Sequence, residues 1–384
     1  MSTRNEFRTV AVLGAGSTGQ ATAGYLAMSG RRVRLWNRAA PEARRLLDPI
    51  AQRGAVTLRG AVDGVAPLDQ TGTDLESAVA GADLIIVATT ANAHRPLGQH
   101  LAKVVDPAQP ILIVSGGTFG AFDLWRGLVD GGRTEDLLVA ETSTTPMGSQ
   151  AAGDGVVQVS GEKRRVEIAS LPGGRADAFV QGLPEIPLVA APDVLETGLG
   201  NVGPSLHLVP MVLNAGWIEA RGGTFRYYRD AITQRIADVA DRVDVERLAI
   251  ATALGKHLTP LGDYLVSGVG APAGTLYQSI NGCEMYGAVM APDRLNHRFL
   301  WEDTVAGALP MVTLGQLTGV PTPTLSALVT LAGALLGRDF REDGRTAANL
   351  GLEGADVESI RNLVSDSASF DHWRNKLATR TAAT

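Results

Sequence analysis

One cysteine, Cys283, stands in 384 residues, and the six histidines are scattered. No intrachain disulfide or cysteine metal cage can form, so a reducing, cytoplasmic setting is expected, with no metal site. A basic block is missing too. The 34 Lys and Arg against 40 Asp and Glu leave a net charge of −6, which supplies none of the counterion-release energy that drives nucleic-acid binding. Long apolar runs are absent: the longest helical one, residues 325–336, is broken by Ser326, Thr330 and Gly333 and is too short for a bilayer. It reads as a core helix, with no membrane partner. The polar start, Met1 to Arg8, lacks the apolar core of an export signal. What is present is 45% hydrophobic and 19% charged residues, a globular composition that excludes disorder as the main state. The length suits two domains.

Short apolar runs rich in Val, Ile and Leu occupy residues 9–13, 32–36, 83–88, 111–114 and 137–140. Segments with helical apolar spacing lie between them, at 17–29 and 75–80. Bounded runs alternating with helices predict a doubly wound, mostly parallel α/β sheet, a Rossmann domain, over residues 1–190. Residues 156–159 and 166–169 flank the polar stretch Gly161 to Arg164 and read as a hairpin at the sheet edge. Pro184, Pro187 and Pro192 punctuate the boundary. Beyond it, amphipathic stretches at 206–220, 232–254, 298–318 and 324–336 predict an all-helical domain over residues 191–384.

Gly14-Ala15-Gly16-Ser17-Thr18-Gly19 follows the first strand and opens the first helix, the context that turns G-x-G-x-x-G into a dinucleotide signal. Gly14 permits the tight turn, Gly16 lets a pyrophosphate approach, and Gly19 lets helix pack on strand. Ser17 and Thr18 lie at the helix N-terminus, where free N–H groups favour phosphate. At the end of the second strand the sequence reads Trp36-Asn37-Arg38, without the acid that would take a ribose 2′-hydroxyl. Asn37 and Arg38 suit a 2′-phosphate, so NADP(H) is favoured over NAD(H). Thr89 and Thr90, and Gly116-Gly117-Thr118, follow strand ends and are expected beside the cofactor.

In the second half, Asn201, His207 and Asn214 fall in one block interrupted by Pro204 and Pro210. His207 and Asn214, seven apart, share a face of a regular helix. A histidine in an apolar helix is either a general acid or a satisfied core residue. Arg298 and Glu302 are spaced for an intrahelical salt bridge. That leaves Asp303 in an apolar helix, needing a partner that His207 would provide.

Glu141-Thr142-Ser143, the Asn-x₅-His-x₆-Asn block, Phe225-Arg226-Tyr227-Tyr228, Arg298-Phe-Leu-Trp-Glu-Asp303 with Gly307-Ala-Leu-Pro310, and residues 339–346 together resemble the opine dehydrogenase family, closest to its bacterial N-(1-carboxyethyl)-amino-acid branch. The resemblance implies a Rossmann domain with an all-helical domain, commonly as a homodimer. It implies reductive amination: a pyruvate-like 2-oxo acid condenses with an amine or amino acid, and NAD(P)H delivers hydride to the imine. The family's catalytic His–Asp pair carries onto His207 and Asp303 and its carboxylate-binding arginine onto Arg298, with Asn201 and Asn214 as further substrate-binding positions. The chain departs from the pattern at Gly203, where many relatives carry a second Asn, and at Leu208, where they carry Pro. Two other readings use the same fold: a ketopantoate-like or 2-hydroxyacid dehydrogenase, for which Lys256 is the available lysine, and a non-catalytic NADP(H) sensor.

Overall fold

The computed structural model describes residues 7–382. The strands are β1 (Thr9–Leu13), β2 (Arg32–Trp36), β3 (Ala55–Gly60), β4 (Gly64–Pro67), β5 (Gln70–Gly72), β6 (Leu84–Val87), β7 (Ile111–Ile113), β8 (Val139–Thr142), β9 (Met147–Gly153), β10 (Val156–Glu162), β11 (Val166–Leu171) and β12 (Leu188–Ala190). Every residue of β1, β6 and β7 is buried, as continuous apolar runs require when both sheet faces are covered. Eight strands form one sheet in the order β12-β11-β8-β7-β6-β1-β2-β5. Its pairings are parallel except for β11 with β8. This is the doubly wound domain expected.

The expected hairpin is not there. β10 joins β4, β3 and β9 in a separate four-stranded sheet, while β11 lies in the large one. The burial patterns explain the split: β10 buries Val157 and Val159 in alternation, as a half-exposed strand does, whereas β11 is buried at nearly every position. A polar turn between two strands does not require that they pair.

The chain forms two compact units. The first comprises the segment up to Gly116, Gly120–Val194 and the chain from Val364 onward; the second comprises Gly117–Phe119 and Leu195–Leu363. The C-terminal segment, assigned by sequence to the helical half, thus belongs with the sheet. The reason is aromatic. From the helix Ser367–Ala382, Phe370 meets Trp125 edge-on (5.2 Å, 68°) and Trp373 meets Phe122 (5.4 Å, 88°). Helical periodicity shows that a face is apolar without showing which domain it covers.

The second unit is helical. Its longest helix, Gln234–Ala253, starts at a Thr233 cap and carries buried Glu246, whose carboxylate accepts the Thr324 and Leu325 N–H groups (2.7 and 3.0 Å). That carboxylate satisfies the open N-terminus of the helix Pro323–Leu336, the apolar segment noted in the sequence. Among the described residues no helix is long and apolar enough to cross a membrane.

Candidate active site

In the first unit, the turn after β1 gives each glycine a separate reason. Gly14 has φ of +118°, donates to Trp36 O (2.8 Å), and a Cβ there would lie 2.4 Å from Ala88 O. A Cβ on Gly19 would lie 1.7 Å from Gly14 O, so only glycine lets the helix Ser17–Met28 sit on the turn. At Gly16 the space is open. That helix has no side-chain cap, so its first N–H groups remain for a ligand. Ser17 Oγ accepts the Ala151 N–H (2.9 Å), which leaves its own O–H to donate, and Thr18 is half-buried beside it. Asn37 is half-buried and Arg38 is exposed. Thr89 Oγ1 is fully enclosed with no hydrogen-bond partner among the described residues, while Thr90 donates to Asn92 (2.7 Å).

Thr118, expected beside a cofactor, is spent on structure. It is sealed within the second unit, its N–H on Ala306 O and its hydroxyl on Gly198 O (both 2.7 Å). Glu141, noted only within a resemblance motif, is buried and accepts the Ala121 N–H (2.6 Å), capping the helix Gly120–Asp130 from inside.

In the second unit, both expected long helices are interrupted by a wide π turn. One, Pro204–Leu208, contains His207; the other, Thr304–Ala308, directly follows Asp303. Prolines one turn on explain them. Pro210 and Pro310 have no N–H, so the carbonyls four residues earlier lose their helical partner and the ladder widens to Val209 N–H on Pro204 O and Leu309 N–H on Thr304 O. The released Ala306 carbonyl accepts from Asn201 Nδ2 (3.2 Å) as well as from Thr118.

These turns deliver the pair. His207 Nδ1 lies 2.9 Å from Asp303 Oδ2, with side chains 25% and 16% exposed. An ionised carboxylate only accepts, so Nδ1–H donates and Nε2 is left for chemistry. The imidazole stacks on Phe299 (4.1 Å, 9°), and Tyr227 O–H donates to the His207 carbonyl (2.6 Å). Asp303 Oδ1 fills the space beside Gly203: a Cβ there would lie 1.9 Å from it. Sequence reasoning noted Gly203 as a departure without seeing that use, and it missed Phe299, whose signal is only its place four residues before Asp303.

The remaining expected residues divide. Arg298 is half-exposed and pairs loosely with Glu302 (3.5 Å), so the salt-bridge reading holds in this state while the guanidinium edge stays open. Asn201 accepts from Gly203 N–H (3.0 Å) and reaches Ala306, bracing the bend. Asn214 spends its amide on Pro210 O and Ala231 O (2.9 and 3.1 Å), leaving Oδ1 alone for a ligand. The regular helix assumed for His207 and Asn214 is replaced by the π turn and a break at Asn214. Lys256 lies near Glu196 (3.8 Å).

His297 caps the helix Arg298–Asp303, its Nδ1 accepting the Phe299 N–H (3.3 Å). Burial first, then the Arg298 charge, pushes its pKa from 6.5 down to about 4. The unfolded chain therefore takes up this proton near pH 6.5 and the folded one near 4. The stability contribution is whole above 6.5 and is lost as pH falls through that window. The expected loss is about 1–2 kcal/mol after solvent screening. His297→Asn, which keeps a capping acceptor, should flatten this part of the Tm–pH curve; an unchanged curve contradicts it.

Residues 9–124 match the family model for the N-terminus of NAD-dependent glycerol-3-phosphate dehydrogenase, and residues 190–336 match the alpha-helical domain of NAD/NADP octopine/nopaline dehydrogenase. An opine dehydrogenase from Arthrobacter sp. (strain 1C) is 33% identical over 362 residues, covering 94% of this chain and 99% of the relative. The chain belongs to the opine dehydrogenase family. It is an NAD(P)-dependent oxidoreductase of that type. The opine dehydrogenase architecture also appears in solved structures. An octopine dehydrogenase in complex with NADH and agmatine superposes with TM-score 0.73 at 20% identity, covering 93% of this chain and 98% of that one. A yersinopine dehydrogenase bound to NADP+ gives 0.69 at 15%, covering 99% and 100%. At those identities the likeness is one of fold. The helical opine dehydrogenase match includes Asn201, His207, Arg298 and Asp303.

Proposed function

We propose that this opine dehydrogenase carries out NADPH-dependent reductive amination, joining a pyruvate-like 2-oxo acid to an amine or amino acid. The observation that carries it is the His207–Asp303 pair, an imidazole tied at Nδ1 with Nε2 left over. Amine and 2-oxo acid combine to a carbinolamine, whose hydroxyl must leave as water. The protonated imidazole gives its Nε2 proton to that oxygen, and Asp303 fixes the tautomer and balances the imidazolium charge. Arg298 turns its guanidinium fork from Glu302 to the 2-oxo acid carboxylate. Asn201 and Asn214 are the further substrate-binding positions, Asn214 through the Oδ1 that its own contacts leave over. The bound cofactor supplies the hydride that reduces the imine.

Residues of the first unit fit that cofactor. The open face at Gly16, the uncapped helix start, Ser17 O–H and the orphaned Thr89 hydroxyl suit a dinucleotide. Asn37 and Arg38 support the 2′-phosphate form. Arg38→Ala is expected to raise KM for NADPH about 10-fold, the loss of one charge-assisted hydrogen bond, with KM for NADH changed less than 2-fold. Equal effects on both cofactors would remove the argument for NADPH. The lone, buried Cys283 supports a cytoplasmic setting, and the family resemblance supports a homodimer.

The test is the product. Incubation with NADPH, pyruvate and an amino acid should yield, by mass spectrometry, a secondary amine equal to both substrates less one water plus two hydrogens. A 2-hydroxy acid instead would mean carbonyl reduction.

A further inference from the structure

Tyr228 is 4% exposed, stacks on Tyr286 (4.3 Å, 20°), stands edge-on to Tyr227 (5.2 Å, 82°), and has its ring 6.4 Å from that of His207. Its neighbour Tyr227 spends its hydroxyl on the His207 carbonyl. The Tyr228 hydroxyl has no hydrogen-bond partner among the described residues, yet it is not one of the fully enclosed polar atoms. A phenol so placed has a buried ring and a hydroxyl that outside molecules can reach, water in the free protein and a ligand's acceptor in its place. The ring's packing is complete without the oxygen.

We propose that Tyr228 binds substrate, its O–H donating to the carboxylate of the 2-oxo acid alongside Arg298. This rests on the function proposed above. Burial, and then the Asp303 charge, hold the phenol far above its ordinary pKa, while the Arg298 charge opposes that rise. The hydroxyl therefore keeps its proton at any working pH and lies within the field of both groups. The hydroxyl donates to no group among the described residues, so its acceptor comes from outside, beside the His207 ring, and the Arg298 charge favours an anionic one. Donation adds a second, directional contact to the guanidinium fork and fixes the carboxylate's rotation before hydride arrives.

Tyr228→Phe keeps the ring and its stacking, so the fold should be retained, with Tm within 2 °C or so of the parent. The wild-type protein is assayed first with pyruvate, an amino acid and NADPH. No turnover there means that the function proposed above fails, whatever Tyr228 does. With turnover established, Tyr228→Phe is expected to raise KM for pyruvate roughly 10–100-fold, the loss of one hydrogen bond to a charged group, with KM for the amine and Kd for NADPH changed less than 3-fold. Unchanged KM for pyruvate overturns the proposal, as does a rise confined to the amine.

Discussion

Replacing His207 by alanine lowers turnover by roughly 10²–10⁴-fold, the usual worth of a positioned acid–base group, while cofactor affinity changes little. The expectation follows from the site's construction. Phe299 holds the imidazole plane, Asp303 holds Nδ1, and the widened turn Pro204–Leu208 sets the backbone. Stripping away the ring removes the proton donor and leaves those supports standing. Steady-state turnover together with a titration of cofactor fluorescence separates the two quantities; undiminished turnover ends the acid–base assignment.

Gly203→Ala is expected to cost about 10²-fold in turnover, because the new methyl would lie 1.9 Å from Asp303 Oδ1 and displace the carboxylate by more than an ångström. The backbone at Gly203 is ordinary right-handed helical, so no strain in φ competes as an explanation. The loss should match that of Asp303→Asn and fall on kcat, with KM for cofactor unchanged, since the nucleotide turn belongs to the other unit. The check is a kinetic comparison of the two variants. A loss seen only as lower Tm, with kcat intact, would make Gly203 a packing residue.

Much of this was written locally. Buried parallel strands announce themselves as apolar runs: β1, β6 and β7, buried at every position, lie within those runs, and β2 does so despite its exposed Arg32 and half-buried Arg34. The glycine motif was equally legible from the strand before it and the helix after it, although only Gly19 meets its own turn, while Gly14 is pressed by the distant Ala88 and Gly16 faces open space. What stayed hidden depended on distant chain. β10 and β11 look alike in sequence and part into different sheets. Phe370 and Trp373 find Trp125 and Phe122 across more than two hundred residues. His207 and Asp303 were paired by chemical need and by resemblance, but the means of bringing them together, two proline-induced π turns and a vacant side-chain position at Gly203, became visible only in three dimensions. Tyr228 was hidden for a related reason, since an aromatic in an aromatic cluster gives no sign of an unspent hydroxyl.

The central claim is that the His207–Asp303 pair serves imine reduction. It is tested most directly by following NADPH oxidation with pyruvate alone, amine alone and both together, in the wild-type protein and in His207→Asn. Oxidation that needs both substrates and collapses in the variant is the expected result. Oxidation with pyruvate alone, or a variant as fast as the parent, would contradict it.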